Sequence, residues 1–174
     1  MITSFEILDR TGTRRLAHLN VTANPTAGWT LQQLRQAFSA DGYRHLIDDR
    51  DRIYSKHLDA SIEALGLKVL RSPVASPKAN AICERVIGTI RRQCLDWMIP
   101  ISEAHLRAIL REWVTHCNTG RVHSRLGPGV PDPPPATVAF AKSEFRHRLA
   151  ANAFVRSKSI LSGLHHEYWL ATYG

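Results

Sequence analysis

Apolar and polar positions at the start of the chain alternate in the way expected of short strands followed by a helix. Residues 5–9 (FEILD) are mostly apolar and end at an acid, and a Thr-Gly turn separates them from residues 14–23, which are rich in apolar and β-branched side chains. This pattern predicts an antiparallel hairpin. Thr30 is a candidate N-cap for an amphipathic helix over residues 31–40.

The pattern then changes to strand, helix and strand. Residues 44–48 form a short apolar run that reaches a cluster of acids, and residues 56–66 have the periodicity of an amphipathic helix that ends at Gly66. Residues 67–72 predict another short strand before Pro73. A hairpin followed by this alternation predicts an α/β fold, with a mixed sheet flanked by helices.

Two longer helices are predicted next. Ser76 suits an N-cap and Pro77 the first helical position, and a further helix has core spacing over roughly residues 102–117. The Pro-rich stretch at 127–138 is incompatible with regular helix or sheet and predicts an extended arm. We therefore expect a core over residues 1–126, followed by a Pro-rich linker and a basic tail over 127–174.

Composition narrows the class of protein. The 174 residues have 44% hydrophobic content, a formal net charge of +8 and a pI of about 9.9, and this charge favours a polyanionic partner. We expect neither a membrane nor a small-molecule substrate as a partner. No apolar run is long enough for a membrane span, and the N-terminal residues do not resemble a secretory signal. The three cysteines lack CxxC spacing, which favours free thiols in a reducing cytoplasm.

A small set of polar residues could carry chemistry. Glu84 lies on the predicted helix after Pro73, with Asn80 and Arg91 within a narrow arc of the same face, while Asp48 and Asp49 end a predicted strand. Two carboxylates from a strand end and a facing helix can hold Mg²⁺, and a pair of such ions can clamp the two oxygens of a phosphoryl displacement. In this arrangement Arg91 would meet a phosphate.

Other conspicuous residues favour packing or contacts. Trp97 and Trp113 occupy positions on predicted core stripes, so we expect both to be packed. In the tail, His165, His166 and Glu167 are adjacent, and neighbouring side chains point apart on a strand or by 100° on a helix. We therefore expect a contact role for the tail and no metal site there.

Several motifs in order resemble bacterial insertion-sequence transposases of the DDE type, which share the retroviral-integrase core. The resemblance is carried by 48-DDRDRIY-54, 66-GLKVLRSPVASPKANAICERVIGTIRRQCLD-96 and 118-NTGRVHSRLG-127, with weaker likeness at 19–38 and 161–168. It implies an RNase H-like fold and DNA strand transfer that depends on Mg²⁺ or Mn²⁺. It also implies transposon-end and target DNA as partners, action as a homo-multimer, and a cytoplasmic, nucleoid-associated location.

The resemblance assigns roles to individual residues. Asp49 matches the second acid of the family because it begins a D-R-x-x-x-Y pattern, with Asp48 as the competing choice, and Glu84 matches the third acid. The family pattern N-x-x-R-x-H matches Asn118, Arg121 and His123. The residues placed along DNA are Lys78, Asn80, Arg91, Arg92 and Arg121.

The sequence departs from the family at its first catalytic strand. FEILD matches the second strand of the family, so the first strand and its Asp have no counterpart, and Asp9 is either a surrogate or a turn-former. We therefore expect an N-terminally truncated core that is catalytically impaired alone. Its sheet would have a gap, or the hairpin would pair directly with the strand at 44–48. The alternative is a non-catalytic fragment that binds DNA or oligomerises.

Overall fold

The computed structural model contains two compact units, residues 1–111 and 112–174, and its described part leaves gaps in both. The predicted boundary at residue 126 stays a prediction. The structure describes residues 2–5, 13–38, 43, 45–48, 56–71, 77–127, 129–133 and 151–172. No helix in these ranges is both long and apolar enough to cross a membrane.

The first unit opens with the predicted antiparallel hairpin. Strand β1 (Ile2–Phe5) pairs with β2 (His18–Val21), and Ile2 lies opposite Val21. An antiparallel pair is present as predicted, but both strands are only four residues long, and β1 is not the predicted strand 5–9, of which residues 6–9 lie outside the described part. The predicted turn and Asp9 lie outside the described residues.

Helix α1 (Ala27–Phe38) begins earlier than its predicted start. The prediction of Thr30 as the N-cap was wrong, because Thr30 is a buried residue within the helix. Thr26 has the capping role: its Oγ1 accepts a hydrogen bond from the Trp29 amide at 3.2 Å. Gln33 then ties the helix to the hairpin, since its Oε1 accepts a hydrogen bond from Asn20 Nδ2 at 2.7 Å.

The expected strand–helix–strand segment is present. Strands β3 (His45–Asp48) and β4 (Lys68–Arg71) are parallel, and helix α2 (Lys56–Glu63) lies between them in the chain. Parallel pairing requires such a crossover. Gly66 follows α2 with a positive φ of 84°, the left-handed conformation that ends many helices and that glycine adopts without a Cβ penalty.

Helices α1 and α2 cover the parallel pair and form the core of this unit. Apolar side chains on one face of each helix meet those of the strands, as the periodicity of the sequence predicted. The buried members of this cluster are Leu34, Leu46, Leu58, Ile62 and Leu67. Phe38 and Tyr43 close its edge with an edge-to-face ring contact at 5.5 Å.

The sheet of this unit is divided. The hairpin β1–β2 and the parallel pair β3–β4 are separate two-stranded sheets, and no ladder joins them within the described residues. Of the two arrangements expected from the sequence, direct pairing of the hairpin with β3 is therefore not the one observed. Among the described strands, a break therefore separates the antiparallel part from the parallel part.

Helix α3 (Pro77–Gln93) begins at Pro77 as predicted and lies against β1. A 3-10 turn (Leu95–Trp97) and an irregular stretch connect it to α4 (Glu103–Thr119). Ser102 caps α4, because its Oγ accepts a hydrogen bond from the His105 amide at 3.1 Å. Within the first unit, Arg107 of α4 donates a hydrogen bond to the Val21 carbonyl of β2 at 3.0 Å.

The second unit starts within α4 and contains an antiparallel hairpin that the sequence did not reveal. Strand β5 (Ala153–Ile160) pairs along its whole length with β6 (His165–Thr172). The Leu161 amide at the turn donates a hydrogen bond to Glu112 Oε1 at 2.7 Å, which joins the hairpin to α4. Residues 129–133 contain no regular strand or helix, in keeping with the predicted arm, and residues 134–150 lie outside the described part.

Candidate metal and DNA site

Glu84 lies in the middle of α3 and is exposed to solvent. Its carboxylate makes no hydrogen bond or ion pair with another described residue. The continuous helix places Glu84 on the same face as Asn80 and Arg91, in agreement with the predicted arc. A carboxylate that is exposed and not engaged by neighbouring cations is available to a hard cation.

The second carboxylate of the predicted metal site is not among the side chains that the structure describes. Asp48 is the last residue of β3, where its backbone is paired with Arg71, and its side chain is not described. Asp49 follows directly and lies outside the described residues, so the predicted pair stays a prediction. In the described ranges there is no group of three or more His, Cys, Asp or Glu residues that could hold a metal ion. The donor chemistry of Glu84 fits a divalent cation, and Asp49 would have to supply a second oxygen ligand.

The basic end of α3 is close to Glu84 in sequence and is exposed. Arg91 is exposed, and its Nε lies 3.3 Å from Asp96 Oδ1 in a solvent-exposed ion pair. The Arg92 guanidinium lies along the helix beside Gly88. A solvent-exposed ion pair such as Arg91–Asp96 contributes little to stability, and its carboxylate competes poorly with a phosphate for the guanidinium. Asp96 would therefore weaken a phosphate contact of Arg91 without preventing it. Lys78 and Asn80 lie on the first turn of α3, and their side chains are outside the description.

Arg121 belongs to the second unit. Its guanidinium lies 3.4 Å from the ring nitrogens of His123, and His123 Nε2 lies 3.9 Å from Cys117 Sγ. His123 is half-buried, and its amide donates a hydrogen bond to the Gly129 carbonyl at 2.8 Å. Both residues thus take part in contacts that organise the segment after α4. A DNA contact by Arg121 stays a prediction.

The two tryptophans differ from each other in burial. Trp113 is 1% exposed and packed as predicted, but Trp97 is 70% exposed, so the prediction that it packs in the core was wrong. Trp97 lies in the 3-10 turn after α3 has ended, where helical periodicity no longer places it on the stripe that Ile90 continues. Its indole Nε1 donates a hydrogen bond to the Arg92 carbonyl at 2.8 Å.

The tail residues make contacts within the second unit, as expected. Glu167 Oε1 lies 2.8 Å from His116 Nδ1, and His165 stacks on His116 with ring centroids 5.2 Å apart. His166 and Tyr168 stack on the opposite face of β6 at 6.1 Å. His165 and Glu167 are therefore engaged by α4.

Two polar contacts were missed in the sequence, one beside the candidate site and one within the second unit. Asp96 faces Arg91 only because α3 gives way to a 3-10 turn, and no sequence pattern reports that ion pair directly. His116 lies on α4, 51 residues before Glu167, and nothing in its local pattern names a partner. The exposure of the apolar residues after α3 did have a sequence signal. Pro100 cannot continue a helix, so the helical period that predicts burial should not be extended to it.

Comparisons with known proteins bear on this arrangement. Residues 65–131 match the family described as "Integrase core domain", a segment that includes β4, α3 and α4. The crystal structure of the catalytic core domain of BIV integrase is similar, with a TM-score of 0.52 and 17% identity over 66% of this chain and 73% of that chain. The fold is RNase H-like, that of an integrase catalytic core.

A second integrase-type structure agrees with this fold. The cryoEM structure of the simian T-cell lymphotropic virus intasome, in complex with PP2A regulatory subunit B56 gamma, has a TM-score of 0.50 and 14% identity. That similarity covers 89% of this chain and 56% of that chain. No curated protein sequence gave a significant match.

The segment that matches the family contains most of the predicted site residues but not all of them. It contains Glu84 and the five residues that were expected to contact DNA. Asp49 precedes the matched segment, so its assignment rests on the sequence pattern D-R-x-x-x-Y alone.

Proposed function

We propose that this chain acts in DNA integration or transposition through phosphodiester chemistry that depends on a divalent metal ion. The observation that carries the proposal is an exposed carboxylate, Glu84, on the long helix of a segment that matches an integrase core domain. A fold alone does not determine a function, so the residues of the site have to carry the inference. The excess of basic residues supports a polyanionic substrate.

In this proposal Asp49 and Glu84 hold Mg²⁺ or Mn²⁺, and a bound ion supplies charge neutralisation at the phosphate under attack. The chain's own basic residues bind and orient the DNA backbone. Arg91 and Arg92 do so from the exposed end of the Glu84 helix, and Lys78 and Asn80 from its first turn. Arg121 contributes from the segment after α4. The DNA would comprise transposon ends and a target.

The finer features of the proposal come from the sequence motifs. They favour a bacterial insertion-sequence transposase that acts as a homo-multimer in the cytoplasm on nucleoid DNA. The 174 residues provide two of the three carboxylates that these motifs imply, so we propose that the chain alone is catalytically impaired. Loss of a group that stabilises charge in the transition state costs roughly 3–4 kcal/mol.

Two assays on the purified chain test the proposal. Fluorescence anisotropy with a labelled duplex at increasing salt measures binding, and nicking of supercoiled plasmid with Mg²⁺ or Mn²⁺ measures chemistry. We expect binding that weakens steeply with salt, together with slow or no nicking. Glu63→Gln is a matched control for Glu84→Gln, since Glu63 is also an exposed helical carboxylate.

The outcomes separate the proposal from its alternative. Robust nicking that disappears in Asp49→Ala would contradict the impairment while supporting the site. Binding to DNA that is the same with and without Mn²⁺, and unchanged in Glu84→Gln, would favour a non-catalytic DNA-binding fragment. Absence of DNA binding even at low salt would reject the proposal and the DNA-binding form of the alternative, leaving a fragment that only oligomerises.

A further inference from the structure

The C-terminal hairpin of β5 and β6 has a local excess of positive charge. Residues 151–172 contain Arg156 and Lys158 but only one acid, Glu167. Lys158 is opposite Glu167 in the strand register, and Glu167 Oε1 is directed at His116 of α4 at 2.8 Å. The one carboxylate of the hairpin therefore already has a partner on α4, and the cations of β5 outnumber it.

The strand register places these cations and two aromatic rings on one side of the hairpin. Phe154, Arg156 and Lys158 alternate along β5 and therefore point to the same side. Arg156 is directly opposite Trp169 in the antiparallel pairing, and opposed residues of such a pair share a side of the sheet. We call Phe154, Arg156, Lys158 and Trp169 the basic-aromatic face.

The side chains of this face that could bind a ligand are accessible. Arg156 and Lys158 are exposed, and Trp169 is 45% exposed. The Arg156 guanidinium carbon lies 5.3 Å from the centroid of the Phe154 ring. Such a cation–π contact restrains the arginine side chain without neutralising its charge, so the guanidinium keeps its attraction for an anion.

An exposed indole beside exposed cations matches the chemistry of single-stranded nucleic acid. Unpaired bases stack on aromatic rings, while the phosphates that join them are attracted to Lys and Arg. In a duplex the bases are stacked on each other, so a surface indole meets no free base face unless a base leaves the stack. The combination of Trp169 with Arg156 and Lys158 therefore favours a single strand over a duplex.

We propose that the basic-aromatic face binds single-stranded DNA, with a base stacked on Trp169 and backbone phosphates held by Arg156 and Lys158. The face lies in the second unit and contains none of the residues proposed for the site around Glu84. It rests on the proposed function for its class of ligand, because cleavage of one strand frees an end whose bases can unpair. The face holds a strand and takes no part in the chemistry.

Fluorescence anisotropy of a labelled oligothymidylate, with the whole chain and in EDTA, tests the stacking contact. We expect the wild type to bind and Trp169→Ala to weaken binding at least about fivefold, as loss of one stacked base does, while Trp169→Phe keeps most of the affinity. Tyr168→Ala is the matched control, since Tyr168 is the neighbouring residue of β6, is 68% exposed and points to the other side. Circular dichroism checks that each variant keeps the wild-type fold.

The salt dependence of the same titration tests the phosphate contacts. Arg156→Gln and Lys158→Gln should each reduce the slope of log K against log salt by about 0.7, the value for one phosphate contact on a single strand. Lys68→Gln is the matched control, because Lys68 is also an exposed lysine on a strand but belongs to the first unit. It should leave the slope unchanged.

Any other result overturns the proposal. A wild-type chain that does not bind the oligothymidylate at low salt has no such surface, and equal affinity of the wild type and Trp169→Ala excludes stacking on Trp169. An equal loss in Tyr168→Ala, or equal slopes for the Lys158 and Lys68 variants, would show a general effect of aromatic content or charge. Because the assay contains no divalent metal and no duplex, its failure is distinguishable from failure of plasmid nicking at Glu84.

Discussion

His116 on α4 and Glu167 on β6 lie 2.8 Å apart, measured from Nδ1 to Oε1. The His116 side chain is almost fully buried and that of Glu167 mostly so, and His165 stacks on the imidazole from the same strand. A polar pair removed from water to this extent needs its partner, because a buried group left alone keeps its desolvation cost. The pair therefore fastens the C-terminal hairpin to α4.

A double-mutant cycle measures the coupling free energy between His116 and Glu167. We expect His116→Ala and Glu167→Ala to be coupled by about 0.5–3 kcal/mol in urea unfolding, the range found for residues in direct contact. The control cycle pairs His116→Ala with Ser157→Ala, whose exposed side chain lies on the other face of β5. A coupling within error of the control would show that the two side chains do not stabilise each other.

Gly120 explains why Glu167 can come so close to α4. A Cβ built on Gly120 would overlap the Glu167 carboxylate and lie 2.6 Å from its Cγ. We expect Gly120→Ala to destabilise the chain by about 1–3 kcal/mol, the typical cost of overpacking, by displacing Glu167 from His116. Thermal unfolding measures the change, and the cost should fall in the Glu167→Ala background.

Gly28 provides the matched control for Gly120→Ala. It lies in α1, and a Cβ there would have no atom within 4 Å. Gly28→Ala should therefore stabilise the chain by roughly 0.4–1 kcal/mol, because alanine favours helix and restricts the unfolded state. Equal effects at both glycines would mean that the contact with Glu167 has no energetic role.

Local sequence rules predicted much of the first unit. Pro77 began a helix where expected, Gly66 ended one with positive φ, and the apolar period placed Leu34 and Ile62 in the core. These features depend on neighbours in sequence, which a pattern can report. The start of α1 was misjudged because Thr26 and Thr30 are equally plausible caps until tertiary packing buries one of them.

Features that depend on distant residues were not predicted. The turn between β5 and β6 contains Gly163 with a positive φ of 99°, so a Ser-Gly turn signal was present, but the positive φ of the two non-glycine residues Leu161 and Ser162 could not be predicted from it. Trp97 was misplaced because the helical period was extended past the end of α3. For the site, the helix face carrying Glu84 was predictable, whereas its pairing with Asp49 still rests on a motif.

The difference in burial between Trp97 and Trp113 can be tested by replacing each side chain with alanine. Trp113→Ala should cost about 3–5 kcal/mol, since it removes a large buried side chain and leaves a cavity. Trp97→Ala should stay within about 0.5 kcal/mol, as expected for an exposed position. Guanidinium unfolding of the two variants gives both values, and comparable destabilisation by the two would contradict the assigned burial.

Removal of the Asp96 carboxylate that pairs with Arg91 should increase the affinity for DNA. Asp96→Asn removes the carboxylate that engages Arg91 and a negative charge beside the proposed DNA path, so duplex affinity should rise. Arg91→Ala should lower affinity and reduce the slope of log K against log salt by about 0.9, the value for one phosphate contact. Anisotropy titrations at several salt concentrations measure both.

Glu103→Gln, which removes the carboxylate of another exposed ion pair, is the control for these two variants. Arg107 and Glu103 are paired on α4, a different helix from that of Glu84, and neither is among the proposed DNA contacts, so Glu103→Gln should leave the salt slope unchanged. Should Asp96→Asn weaken DNA binding, or Arg91→Ala leave the slope as it is, Arg91 would not be a phosphate contact.

The most direct test of the central claim is Mn²⁺ binding measured by electron paramagnetic resonance on the wild type, Glu84→Gln and Glu63→Gln. If Glu84 is a metal ligand, Glu84→Gln should weaken Mn²⁺ binding by at least about tenfold, the smallest loss usually seen when a metal site is perturbed. Glu63→Gln should match the wild type, because Glu63 lies at the end of α2, outside the proposed site. Equal Mn²⁺ affinity of the wild type and Glu84→Gln would contradict the account.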